Sequence, residues 1–224
     1  YPFMIAPIIT TQLRKIYLLK IGVQMSDTLS EILRRLAANQ PATAVRRKCF
    51  VSYYGGDSRE VQKFIDDFGD VFIPKVIGVT DKDDFIDSED SDYVMSRIRD
   101  KYLGDSSVTL CMIGACTHSR RYIDWELKAT LRRGNYTPNG LIGILLPSMG
   151  TSAHLPPRLK DNWNKEDESQ GYAIYHSYPS TKEALGRWIE DAYSRRTSSH
   201  AGYIANSQLM HKYNRNCSVH DVTH

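Results

Sequence analysis

The segment Ser119-Arg120-Arg121-Tyr122-Ile123-Asp124-Trp125-Glu126-Leu127 carries aromatic rings and a carboxylate at spacings that matter on a helix. Tyr122 and Glu126 stand at i and i+4 and share a face, while Trp125 lies beside Tyr122 at i+3. A carboxylate next to aromatic walls suits a planar, cationic substrate. The same residues have a plainer reading, in which Glu126 is solvated or paired with Lys128 or Arg133 and Trp125 packs in a core. The choice between them depends on where a fold would place this helix.

From Lys48 onward, short apolar runs alternate with amphipathic stretches. KCFVSYY, VFIPKVIGV, VTLCMIGAC, GLIGILLPS and YAIYHSY read as strands; SREVQKFIDDF, YVMSRIRDKYL, SRRYIDWELKATLRRG and TKEALGRWIEDAYSRR read as helices. Pro74 is expected to delay the second strand to Lys75–Val79, and Gly134 to close the helix that bears Glu126. Strands without polar alternation are those buried on both faces, and right-handed crossovers then wind helices over both sides. The fold class is therefore α/β, a doubly wound, mainly parallel five-stranded sheet with helices on both faces. Its ligands belong beyond the carboxyl ends of the strands, at Tyr53-Tyr54-Gly55-Gly56-Asp57, Thr80-Asp81-Lys82-Asp83, Thr117-His118-Ser119 and Pro147-Ser148-Met149.

With 224 residues, the chain suits one domain with extensions. Residues 1–45 read as an N-terminal extension with a short amphipathic helix over Ser26–Asn39, residues 46–199 as the α/β domain, and residues 200–224 as a polar tail with a short helix and a disordered end. The excursion Gly150–Gly171 reads as a lid or a surface loop. No run reaches the roughly 18 apolar residues of a membrane span, and the N-terminal stretch lacks the order of a secretory signal. The reading is cytoplasmic, with Cys49, Cys111, Cys116 and Cys217 as reduced thiols. The formal charge of +3, with no basic stripe interleaved with aromatics, argues against nucleic acid.

Several chemistries lose their motif. Neither G-x-x-x-x-G-K-[ST] nor G-x-G-x-x-G occurs, and no G-x-S-x-G elbow supports a hydrolase nucleophile. A phosphoacceptor domain would need acidic residues where Ser52-Tyr53 and Gly114-Ala115-Cys116 stand. The spacing of Cys111 and Cys116, and of His211, His220 and His224, does not suit a metal, so no metal is expected.

RKCFVSYYGGDS, the acidic loop after the second strand, DSSVTLCMIGACTHSRRYIDWELKATLRRG and GLIGILLPS together resemble the TIR-like domain, whose sheet is flavodoxin-like. The resemblance is strongest to the TIR proteins of Thoeris anti-phage systems; it covers Lys48–Ser148 well and Tyr172–Arg195 loosely. Many TIR domains carry W-C-x-x-E, with Trp four residues before Glu; here Tyr122 stands four before Glu126 and Trp125 one before it, as in the Thoeris-like subgroup. The resemblance implies an enzyme that cleaves the nicotinamide–ribose bond of NAD, with Glu126 as the catalytic carboxylate and NAD as substrate rather than cofactor. Tyr53 and Tyr54 would wall the nicotinamide, with Tyr122 beside them. Thr80 and Asp83 would lie on the loop bordering the site, and Ser119 would cap the helix. The implied product is ADP-ribose or a cyclic isomer, released as a signal to a separate effector protein, and the implied state is a homo-oligomer. Two rivals remain at this level: a TIR-like self-association module without catalysis, and a flavodoxin-like fold binding a nucleotide or flavin.

Overall fold

The computed structural model describes residues 45–76, 91–134 and 136–217, with the side chains of Ser91, Asp92 and Tyr102 left aside. The Ser26–Asn39 helix and the Thr80–Asp83 loop lie outside the described residues. Five strands, β1 (Lys48–Ser52), β2 (Ile73–Val76), β3 (Val108–Ile113), β4 (Gly140–Leu145) and β5 (Ile174–His176), form one parallel sheet in the order β2-β1-β3-β4-β5. This is the α/β sheet that the apolar runs predict. β3 and β4 are buried along their whole length, as expected of strands covered on both faces.

Alternation along each strand divides the core into two layers. Cys49 and Val51 of β1, Leu110 and Met112 of β3, and Ile142 and Ile144 of β4 face one side. There they meet α1 (Ser58–Phe68) through Val61, Phe64 and Phe68, and α5 (Lys182–Arg195) through Leu185, Ile189 and Ala192. On the other side, Cys111, Ile113, Leu141 and Leu145 meet α3 (Arg121–Thr130) through Ile123 and Leu127, and α4 (Pro157–Asn162) through Leu159. Phe50 packs there with Val94 and Ile98 of α2 (Ser91–Ile98) and with Trp125 and Ala129 of α3. The period of two in the strands and of 3.6 in the helices thus assigns each apolar side chain to one layer.

Close approach of a helix to the sheet explains Gly140. A β-carbon there would overlap the backbone carbonyl of Ala192 in α5, and a carbonyl cannot swing aside as a side-chain end can. Gly140→Ala is expected to destabilise the fold by about 1–3 kcal/mol, read as a lower midpoint in urea unfolding.

Two local expectations need correction. β2 starts at Ile73 and includes Pro74, which pairs in register with Cys49; β2 is an edge strand, where a residue without an N–H is tolerated. α3 ends at Thr130, and Gly134, with φ of 101°, sits in the turn beyond rather than closing the helix. The excursion between β4 and β5 is largely exposed or half-buried, as a surface excursion would be, but α4 anchors it through the fully buried Leu159 and Arg158. In the tail, the short helix is met and the very end, residues 218–224, lies outside the described residues. A 3₁₀ turn over Ser199–Tyr203 leads into an extended strap that runs back along α3.

Candidate active site

In the order β2-β1-β3-β4-β5, the chain leaves β1 toward one edge of the sheet and β3 toward the other. The connections diverge at the carboxyl ends of these two strands and leave a crevice, the usual ligand position in such sheets. β1 ends on Ser52, the hydroxyl that terminates an otherwise apolar strand, in register with Cys111 of β3. α3 follows β3 after a 3₁₀ turn over Thr117–Ser119, so its first turns lie over this junction.

Glu126 points into it. The residue is 7% exposed, and the Ser52 hydroxyl donates to its Oε2 at 2.6 Å. The solvated reading, with Lys128 or Arg133 as partner, does not hold. Lys128 donates instead to the carbonyls of Gln208 and Asn206. Burial raises the Glu126 pKa to about 7, and the Ser52 hydrogen bond opposes the rise by favouring the ionised form. A carboxyl that titrates near neutrality inside a sheet junction departs from a structural glutamate in the direction expected of a functional one.

The tyrosines are distributed unequally. Tyr53 packs partly buried against the core at the end of β1; its pKa is raised by burial and then by the charge of Glu126, which places its ring within electrostatic reach of the carboxylate. Tyr54 lies beneath Arg120, whose guanidinium carbon sits 3.8 Å from the ring centre. Tyr122, one helical turn before Glu126, engages Trp125 edge-on at 5.6 Å, and its hydroxyl accepts from Arg121 at 2.9 Å. Ser119 is no cap: its hydroxyl donates to the carbonyl of Cys116. The Arg121 amide at the start of α3 is instead accepted by the side-chain oxygen of Asn214, from the strap.

Sequence reasoning gave no role to several groups at the same edge, even where it placed their loops there. Ser52 appeared only as a residue unfit for phosphoacceptance, although a lone hydroxyl closing an apolar strand was a usable signal. Asp57 packs its carboxylate on the backbone of Gly114, where a β-carbon would collide with it. His118 and His154 face each other with ring centres 5.1 Å apart, and burial, then the neighbouring His154, lowers the His118 pKa. Away from this edge, a cavity of about 330 Å³ opens beside the far end of α3, lined by Lys128, Arg132 and Arg133. Its walls carry no carboxylate and no aromatic ring, so they would repel a cationic ring. A buried carboxylate that could face such a ring stands instead at Glu126. Among the described residues no cluster of His, Cys, Asp or Glu has the geometry of a metal site, and no helix is long and apolar enough to cross a membrane.

Residues 50–151 match the family model of the Thoeris protein ThsB, TIR-like domain. Over this stretch the chain is similar to the ThsB TIR-like domain. The match spans the chain from β1 to the turn after β4, and so includes Ser52 and Glu126, which meet through their hydrogen bond. No curated protein matches the chain.

The pair makes a quantitative prediction. Replacing Ser52 with alanine removes a hydrogen bond to the charged form, worth about 1.5 kcal/mol. The Glu126 pKa then rises further above about 7. If ionised Glu126 carries the reaction, the acid limb of kcat/KM in Ser52→Ala moves to higher pH, and activity at pH 7 falls on the order of tenfold while recovering at pH 9. A limb that stays in place would show that Ser52 does not tune this carboxylate.

Proposed function

We propose that this domain cleaves the nicotinamide–ribose bond of NAD, with Glu126 as the catalytic carboxylate. The observation that carries this reading is the burial of Glu126 against Ser52 at the carboxyl edge of the sheet, within a segment that matches the ThsB TIR-like family.

The chemistry asks little of the protein. Nicotinamide leaves as a neutral pyridine from a pyridinium, so no acid is needed to protonate it. As the bond lengthens, positive charge moves onto the ribose and the state becomes oxocarbenium-like. An ionised carboxylate in a water-poor site stabilises that charge far better than the same group in water. Burial near neutrality suits Glu126 to this role: the ligand's own cationic ring draws the carboxyl into its charged form, and little solvent screens it. Tyr53, within the field of Glu126, supplies a flat apolar wall for the nicotinamide. The resemblance adds Thr80 and Asp83, outside the described residues, and Tyr122 as substrate-binding residues, although the Tyr122 ring engages Trp125 and Arg121.

Capture of the ribosyl cation by water yields ADP-ribose; capture by a nitrogen or hydroxyl of the same molecule yields a cyclic isomer. In the proposed reading the product is a diffusible signal to a separate effector protein in anti-phage defence, made in the cytoplasm by an assembled form of the chain. Incubating concentrated protein with NAD and resolving the products by mass spectrometry tests the reading. Free nicotinamide with an equimolar ADP-ribose species is expected. Intact NAD at high protein concentration and in the presence of a crowding agent would leave the family assignment without this activity.

A further inference from the structure

The strap that follows α5 meets α3 rung by rung, in antiparallel order. Lys128 donates to the Gln208 carbonyl at 2.7 Å, and Asn206 returns a hydrogen bond to the Lys128 carbonyl at 3.0 Å. One turn earlier, the His211 amide donates to Asp124 at 3.0 Å and the Trp125 indole N–H to the His211 carbonyl at 2.7 Å. At the start of the helix, Asn214 accepts from the Arg121 amide at 2.9 Å, and the Arg215 amide donates to the Ser119 carbonyl at 2.7 Å. The last rung is covalent: Cys116 and Cys217 form a disulfide, with Cα atoms 5.6 Å apart and a separation of 101 positions in sequence. This overturns the expectation of four reduced thiols. The return of the strap brings Cys217 to the turn before α3, which spacing alone did not reveal. Cys49 and Cys111 are free and buried.

Glu126 lies between the rungs at Trp125 and Lys128, on the face turned to the sheet. We infer that residues 205–217 are a redox-latched brace, which fixes the helix bearing Glu126 while Cys116 and Cys217 are joined and releases its first turns when they are reduced. The Arg121 amide at the start of α3 is accepted by a side chain of the strap, that of Asn214, so lifting the strap uncaps α3 as well as loosening it. Disulfides in reducing compartments are commonly transient and redox-sensing rather than permanent. The step balances with a dithiol reductant: its two sulfurs close into a disulfide as Cys116 and Cys217 become thiols, with two electrons and two protons transferred. Each of the two cysteines is only 1% exposed, so attack waits for the end of the strap to lift, which makes the latch slow and selective.

The link to activity rests on the NAD-cleaving reading; the brace does not. The full chain, oxidised or reduced under native conditions, is compared by amide hydrogen exchange and by nicotinamide release. Reduction is expected to speed exchange over residues 119–130 and 205–217 by roughly tenfold or more, with β3 and β4 unchanged. It should slow nicotinamide release on the order of tenfold, the scale of a sub-ångström misplacement of a catalytic group. Cys217→Ser should behave as the reduced protein with or without reductant. If neither form releases nicotinamide but exchange changes as stated, the brace stands and the NAD reading fails. Ready alkylation of Cys116 and Cys217 in unreduced, folded protein, or equal exchange over 119–130 in both forms, overturns the brace. Equal nicotinamide release from both forms overturns its hold on Glu126.

Discussion

Glu126→Gln is expected to abolish nicotinamide release while leaving a folded protein whose stability has lost part of its pH dependence. Gln keeps the shape and accepts from the Ser52 hydroxyl, but it carries no charge for the developing ribosyl cation; the loss should be at least ~10³-fold, the scale of removing a preorganised electrostatic group. The stability effect follows from the raised pKa, about 7 in the fold against an ordinary value of 4.5. Between these values the native state holds a proton that the unfolded chain has lost, so raising pH pulls the wild type toward unfolding. The stabilisation is fully present below pH 4.5, declines as pH rises, and is gone above about 7; the span amounts to about 3 kcal/mol. Gln cannot titrate. The difference in unfolding free energy, wild type minus variant, should therefore fall by that amount from pH 4.5 to pH 8, measured by urea denaturation at several pH values. A difference that is flat across this range would show an exposed, ordinary carboxyl at position 126.

The two halves of that expectation come from one trade. A functional carboxyl buried beside Ser52 and Tyr53 is costly to ionise, and the cost is the reserve that a cationic substrate releases. Function and stability are set against each other at this residue, which is the usual state of a site rather than a flaw in the fold.

How far the sequence carried can be judged residue by residue. The sheet was legible because β1, β3 and β4 are unbroken apolar runs, and burial on both faces imposes that pattern. Glu126 was legible as a candidate because helical spacing set it near aromatics, but its burial was not: charged helix residues usually face water, and only the register of Ser52 against Cys111 brings the hydroxyl under it. Tyr122 shows the limit of spacing. It falls where i, i+4 geometry puts it, yet its ring turns to Trp125 and Arg121. The strap was illegible for a different reason. Its contacts with α3 use backbone carbonyls, amides and Asn side chains at separations of 78 residues or more, and such contacts leave no periodic mark. Arg158 likewise reads as one more surface charge, although its carboxylate partner stands 34 residues earlier.

That partner is Asp124, and its replacement should have the largest effect on stability. The guanidinium of Arg158 donates from Nε to Asp124 at 2.9 Å, with side-chain exposures of 1% and 3%. Arg158 also reaches Asn206 and the carbonyls of Gln208 and Leu209, while Asp124 receives the His211 amide. Three segments, α3, α4 and the strap, thus converge on one neutralised pair. Asp124 and Glu126 are two residues apart, about 200° around the helix, so the same helix turns one carboxylate to an arginine and the other to the sheet junction. Asp124→Ala leaves the arginine charge buried among carbonyls that cannot neutralise it, a loss of about 3–5 kcal/mol, or on the order of 10 °C in Tm. The double variant Asp124→Leu/Arg158→Met removes both charges and should recover much of this loss in calorimetry, since uncompensated charge rather than missing attraction is the main penalty. It cannot restore the hydrogen bonds to residues 206–211, so hydrogen exchange in the strap should stay fast even where Tm has returned. A double variant no more stable than Asp124→Ala would mean that the contacts to the strap, and not the buried charge, set the stability of this helix.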